Sequence, residues 1–408
     1  MAIGEAHFPI IPAIPGIRLG VSHAGVKAGS NKEDLLVIEL CEGASLAGVF
    51  TDNAFCAAPV SICRAHLSAG GAPRFLVVNS GNANACTGSQ GYDAALQICQ
   101  SLGASAGLTA QSVLPFSTGV IGQALPVQKI QAALPRALAD LSANNWQRAA
   151  KAIMTTDTRP KGRVTELTLS GGKVTIAGIA KGSGMIKPNM ATMLAYVATD
   201  AAVDQAVLQN ICQQSARDSF NRITVDGDTS TNDAYILMAS GQSTAAAITS
   251  DSGSDYQKFN AAVAELAKQL AKDMLRDAEG ATKLVTVTVK GGASAADCFK
   301  VANAVCHSPL VKTALFASDP NWGRIVAAIG YAGVEGLVAS SVRVYLNDLL
   351  VLENGQCAST YTEPLGQAVF NKAEFAIVID LAMGSCGETL WTTDLSHEYI
   401  KINAEYRS

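Results

Sequence analysis

Residues 181–199, KGSGMIKPNMATMLAYVAT, run from a glycine- and methionine-rich stretch into an apolar segment at Thr192. A threonine hydroxyl is a poor nucleophile until a base takes its proton. At a chain start the base is built in, because the α-amine sits beside the hydroxyl and titrates near ~7.7–8.0. Thr192 is internal, so this chemistry requires cleavage of the bond from Ala191 to Thr192, leaving fragments 1–191 and 192–408. Small Ala191 leaves its carbonyl accessible, and Gly182 and Gly184 permit the strained turn that an N-to-O acyl shift needs. The alternative for Thr192 is a buried strand residue with no chemistry.

Other nucleophile arrangements lack their parts. The five histidines (His7, His23, His66, His307 and His397) have no G-x-S-x-G elbow or reactive-looking cysteine beside them. The order of residues in KGSGMIKPN is not that of a phosphate loop, G-x-x-x-x-G-K-[ST]. Ten cysteines lie singly with no C-x-x-C, which suits small buried hydrophobes in a reducing compartment better than disulfides or a metal. Asp226, Asp228 and Asp233 in TVDGDTSTND resemble a calcium loop only superficially: counting from Asp226, Thr231 and Leu237 fall where glycine and glutamate belong. We expect no metal, and read these acids as a polar network beside the processing point.

The elements that must hold Thr192 follow from patterning. Up to about residue 125, short apolar runs (LLVIEL, LAGVFT, FLVVNS) alternate with Gly/Asn/Ser clusters, the texture of strands and turns. Helical spacing appears over 127–141, broken by Pro135, and again in NWQRAAKAIM. RVTELTL and KVTIAGIA predict a hairpin through Gly171-Gly172, and MLAYVAT a buried strand. Val203 to Phe220 behind Asp204, and Phe259 to Met274, predict two amphipathic helices. LVTVTVKGG then opens a new βα pattern, with helices near CFKVANAVCHSPLVKTAL and NWGRIVAAIG, a hairpin at Asn347-Asp348 and a strand in EFAIVIDLAM. A boundary near residue 283 divides a catalytic domain, 1–283, from a smaller α/β domain, 284–408.

Bulk numbers agree with an enzyme and exclude other classes. A chain of 408 residues with 49% hydrophobic and 16% charged residues can bury two cores. Net charge is -4 and the basic residues are scattered, so no stripe exists to bind nucleic acid. The first twenty residues have neither a basic n-region nor an apolar h-region, and no apolar run approaches 18 residues. We expect a cytoplasmic protein without a membrane span.

The stretches LAGVFTDNAFCAAPV, VVNSGNANACTG, STGVIG, MTTDTRPK, KGSGMIKPNMATMLAYVATDA, SFNRITVDGDTSTND, RDAEGATK, SPLVKTALFASDPNWGRI and YIKINAEYRS cover essentially the entire chain. Together they resemble the ornithine acetyltransferase family, bifunctional glutamate N-acetyltransferases and amino-acid acetyltransferases of arginine biosynthesis. The resemblance implies a layered αββα self-processing fold, shared with aminopeptidases. It implies Thr192 as the nucleophile, carrying acetyl from N-acetylornithine to L-glutamate. It also implies an oxyanion hole at Thr118 and Gly119 in FSTGVIG, and substrate contacts at Thr155, Lys181, Thr192, Glu279, Asn403 and Ser408. Lys181 suits an α-carboxylate and Glu279 an ornithine ammonium. Ser408 stands where the family commonly ends in threonine, keeping the hydroxyl and losing the methyl.

The resemblance further implies two copies of each fragment in a heterotetramer, no cofactor, and acetyl-CoA as a second donor in some members. Two rival readings stay open. A self-processing N-terminal-nucleophile aminopeptidase or amidohydrolase would surrender the acyl group to water. An amino-acid-binding protein would show no turnover, with Thr192 in the core.

Overall fold

In the computed structural model, residues 2–5, 7–27, 29–70, 72–187 and 193–405 are described. In chain order the elements begin β1 (Ile17–Ser22), β2 (Leu35–Leu40), β3 (Ser45–Phe50), α1 (Ala58–Ser68), β4 (Phe75–Asn82), α2 (Gly88–Ser105), β5 (Val113–Val120), α3 (Val127–Ala139) and α4 (Trp146–Ala152). They continue β6 (Lys161–Leu169), β7 (Gly172–Lys181), β8 (Leu194–Thr199), α5 (Gln205–Arg217), β9 (Ile223–Thr224), β10 (Ala234–Ala239) and α6 (Ser254–Arg276). The last are β11 (Leu284–Gly292), α7 (Ala295–His307), α8 (Pro309–Ala317), α9 (Trp322–Gly330), β12 (Arg343–Leu346), β13 (Leu349–Glu353), β14 (Gln356–Cys357), α10 (Glu363–Phe370), β15 (Glu374–Asp380), β16 (Cys386–Thr393) and α11 (His397–Ala404). The chain divides into a larger unit, 7–221 with 228–274, and a second unit, 1–6 with 222–227 and 275–408.

The larger unit is a four-layer αββα sandwich. One sheet has the order β1-β2-β4-β5, the other β3-β10-β8-β7-β6. Leu36, Ile38, Leu76, Val78 and Phe116 from the first face Ile179, Leu194, Tyr196, Ile236 and Met238 from the second across one apolar core. Phe116 and Tyr196 meet edge to face at 5.3 Å between ring centroids, the geometry an aromatic quadrupole favours. The outer face of the first sheet, Leu35, Val37, Phe75 and Val77, is covered by Ile62 of α1, Ile98 and Leu102 of α2, and Ile130 and Leu134 of α3. On the other side α5 lies over β3, where Gln205 bonds the carbonyl of Leu46 and Gln209 that of Gly48. A Cβ added at Gly178 of β7 would lie 3.2 Å from Leu270 of α6, which covers that end of the second sheet.

Most patterning is realised as read. All six residues of β8 are buried, the Gly171 hairpin forms between β6 and β7, and Asp204 caps α5 by accepting from the Ala206 N–H at 2.9 Å. Three readings are corrected. Pro135 does not break the helix over 127–141: α3 continues through it to Ala139, held on the sheet by buried Ile130, Ala133, Leu134 and Ala137. The helical pattern does not extend to Phe220 either, since α5 stops at Arg217 and Phe220 opens a separate short turn. CFKVANAVCHSPLVKTAL forms two helices, α7 and α8, because Ser308 is extended ahead of Pro309 and its hydroxyl caps the Val311 N–H.

The second unit is built on a seven-stranded mixed sheet, order β14-β13-β12-β15-β11-β16-β9. Val285, Val287 and Val289 of β11 pack with Val301, Val305 and Cys306 of α7. Among the described residues no helix is long and apolar enough to cross a membrane.

Candidate active site

Thr118 and Gly119 stand at the end of β5, which pairs in parallel with β4 so that Gly119 lies opposite Gly81. Gly119 has φ +136°, and a Cβ there would sit 2.3 Å from the Gly81 carbonyl carbon and 2.5 Å from the Asn82 nitrogen. Only glycine permits this approach of two backbones. Behind it, Gly81 (φ +107°) leaves room for Lys27, whose backbone nitrogen would be 3.0 Å from a Cβ at that position.

Thr155 follows α4, and Lys181 ends β7. The β6–β7 hairpin brings the two stretches together, with Lys161 opposite Ala180. The Lys181 ammonium, 2% exposed, donates to the Thr118 hydroxyl at 2.9 Å and to the Thr155 hydroxyl at 3.4 Å. Three of the predicted site residues are therefore one contact group. Asp157, in the same MTTDT stretch, was not among them. One of its oxygens accepts Lys161 Nζ at 2.5 Å and the Gly182 N–H at 2.8 Å, and the other accepts the Thr155 N–H at 3.0 Å. Burial alone would raise the pKa of Asp157. The charges of Lys161 and Lys181 and those hydrogen bonds outweigh it and hold the carboxyl well below its ordinary range.

Lys27 is a second cation that the sequence reading missed. It donates to the Met154 carbonyl at 2.7 Å, and burial lowers its pKa against the attraction of Asp34 and Asp157. Its only sequence signal was a lysine in a glycine-bounded turn.

Thr192, Ala191 and Ser408 lie outside the described residues. Immediately after Thr192 in the sequence, the Met193 N–H donates to buried Asp233 Oδ1 at 2.7 Å. Burial raises the Asp233 pKa well above the usual carboxyl range. Asn232 beside it donates to the carbonyls of Ala83 at 2.6 Å and Ser117 at 2.9 Å, tying this loop to β5. Of the other acids of TVDGDTSTND, Asp228 lies in the larger unit, and Asp226 lies in the second unit, where it accepts from the Tyr399 hydroxyl at 3.0 Å.

Glu279 and Asn403, both in the second unit, also meet: Asn403 Nδ2 donates to Glu279 Oε2 at 2.7 Å. The Glu279 loop is shaped by Asp394, which accepts from the N–H groups of Thr282 and Lys283 at 2.8 and 2.9 Å and from the Thr282 hydroxyl at 2.6 Å. Gly280 (φ +67°) lets the loop close on α11, since a Cβ there would be 2.6 Å from the Tyr399 nitrogen. Among the described residues no three His, Cys, Asp or Glu side chains gather as metal ligands would.

A buried ammonium on a strand-end hydroxyl, beside a glycine held in close backbone approach, is chemistry suited to a developing oxyanion. Comparison with known proteins decides the family. Residues 18–408 match the model of the ArgJ family. The chain is 52% identical, over all 408 residues of both, to the arginine biosynthesis bifunctional protein ArgJ of Pseudomonas syringae pv. tomato.

The chain belongs to the ArgJ family.

ArgJ membership makes it an acetyltransferase of arginine biosynthesis. Among solved structures, that of the ArgJ bifunctional protein from Bacillus halodurans is 36% identical, covering 51% of this chain and 96% of its own at a TM-score of 0.48. An ornithine acetyltransferase from Mycobacterium tuberculosis, complexed with ornithine, is 33% identical, covering 43% of this chain and 93% of its own at a TM-score of 0.39.

Proposed function

We propose that this protein severs itself between Ala191 and Thr192 and then carries acetyl from N-acetylornithine to L-glutamate as an ester on Thr192. The observation that supports it best is the convergence of the Lys181 ammonium, the Thr118 hydroxyl and the Gly119 backbone in the larger unit, which also holds Met193, the residue that follows Thr192 in the sequence.

In the first half-reaction the Thr192 α-amine takes the hydroxyl proton as Oγ bonds to the acetyl carbon. The carbonyl electrons move onto oxygen, held by donors at Thr118 and Gly119. Collapse breaks the carbon–nitrogen bond, and the ornithine amine leaves with the proton from the Thr192 ammonium. In the second, the glutamate amine attacks the ester and gives its proton to the Thr192 amine. Collapse then releases Thr192 Oγ, which recovers the proton. Thr192 supplies both acyl carrier and base, so the cycle needs no cofactor. Acetyl-CoA would enter only as a second donor forming the same ester.

Glu279 and Asn403 serve substrate binding in this reading, with Ser408, and the two fragments assemble as two copies of each. Incubation with N-acetylornithine alone should release ornithine only to the extent of one acetyl per Thr192. Adding glutamate should start turnover and give acetylglutamate. Free acetate as the main product in both mixtures would replace this reading with a hydrolase.

A further inference from the structure

The contact between Lys181 and Thr118 is informative because the two groups are chemically unequal. An ammonium has three donors and no acceptor, whereas a hydroxyl has one donor and two lone pairs. At 2.9 Å, Lys181 Nζ must donate and Thr118 Oγ1 must accept. The Thr118 proton therefore points away from Lys181. A cation on the acceptor side polarises the hydroxyl and makes its own O–H a stronger donor. Both side chains are buried, at 2% and 6% exposure, so solvent does little to weaken the effect.

Burying an ammonium costs several kcal/mol unless charge and hydrogen bonds offset it. Asp157 meets that need from beneath: it holds the backbone of Gly182, the residue after Lys181, and the backbone of Thr155, whose hydroxyl Lys181 also reaches. Asp157 must answer two cations, since Lys161 is bound to it directly. Lys27 has its own counter-charge in Asp34, whose carboxylate accepts three N–H groups of the turn around it. Asp233 also faces Lys181, but burial disfavours its ionised form.

We propose that Lys181 promotes the transfer step by polarising the Thr118 hydroxyl, and that Asp157 is the positioning residue that holds Lys181 in that contact. This rests on the reading in which Thr118 is a donor to the oxyanion. It gives Lys181 a role in kcat beyond the carboxylate binding that its residue type suggests.

A double-mutant cycle on acetyl transfer tests it. Rates are counted per Thr192 N-terminus, titrated by the burst of ornithine from N-acetylornithine alone. Thr118→Val should lower kcat on the order of 10²-fold. Lys181→Met should lower kcat about 10-fold or more with Thr118 present, and less than about two-fold in the Thr118→Val background, because the group it acts through is gone. Asp157→Asn should follow Lys181→Met in both backgrounds, and Lys181→Arg should recover part of the loss. Should Lys181→Met fail to fold or to process, the Asp157→Asn and Lys181→Arg cycles against Thr118→Val give the same answer. Losses that multiply in the double variants would overturn the proposal. So would variants with kcat intact and KM raised for both substrates, the signature of carboxylate binding alone. Wild-type protein that makes no acetylglutamate would instead remove the underlying reading, and the inference with it.

Discussion

Gly119→Ala isolates the tightest backbone contact of the site. At φ +136° a non-glycine residue carries about 1–3 kcal/mol of backbone strain. The added methyl would also lie 2.3 Å from the Gly81 carbonyl carbon and 2.5 Å from the Asn82 nitrogen, backbone atoms that cannot swing aside. Relief requires β4 and β5 to part, an overpacking cost of roughly 1–3 kcal/mol. The sum, roughly 2–6 kcal/mol, corresponds to a fall on the order of 10 °C in the transition of a unit this size. Gly122→Ala is the matched control: it also has positive φ, +80°, but its Cβ would meet nothing within 4 Å. Thermal unfolding followed by near-ultraviolet circular dichroism, alongside the acetyl-transfer assay, should show Gly119→Ala far below Gly122→Ala in both. Equal transitions for the two variants would refute the claim that close approach, rather than φ alone, demands glycine here.

Three further outcomes follow from the same geometry. The Asp157 pKa is depressed in the fold, so its stabilisation is present above about pH 4 and is lost as pH falls further; Asp157→Asn should flatten the acid limb of the transition temperature against pH. Lys312 is buried with its ammonium on the Thr392 hydroxyl and Thr393 carbonyl, and burial brings its pKa down to about 8. Between about pH 8 and pH 10.4 the unfolded chain keeps a proton that the folded chain has released, so the urea midpoint of wild type should rise with pH relative to that of Lys312→Met in that window. Gly280→Ala would push the Glu279 loop off α11, and should raise KM for N-acetylornithine on the order of 10-fold while altering kcat less, with unchanged KM speaking against the role given to Glu279.

Elements whose burial face repeats cleanly were legible from the residues alone: β8, the β6–β7 hairpin, α5 with its Asp204 cap and the apolar face of α6. Helices α1 and α2 were not, and their span read as strand and turn. In α2 the glycines at 88, 91 and 103 suppress helix propensity, yet Gly91 is required because a Cβ there would lie 1.8 Å from Thr87 Oγ1. Pro135 misled in the opposite direction, since packing of α3 on the sheet outweighs one missing hydrogen bond. Around the site, Thr118, Thr155 and Lys181 could be named from resemblance, and they do meet. Asp157 could not, because an acid in a turn carries no signal of burial. Its hold on both stretches shows only in its bonds from the Thr155 and Gly182 N–H groups.

The most direct test is mass analysis of the purified protein before and after N-acetylornithine, with Thr192→Ala alongside. Wild type should separate under denaturing conditions into fragments 1–191 and 192–408, and the second should gain one acetyl group at its N-terminal threonine and lose it to glutamate. Thr192→Ala should remain a single 42.1 kDa chain without transfer. Active protein with an unbroken 191–192 bond, or acetyl carried on any other residue, would contradict the account.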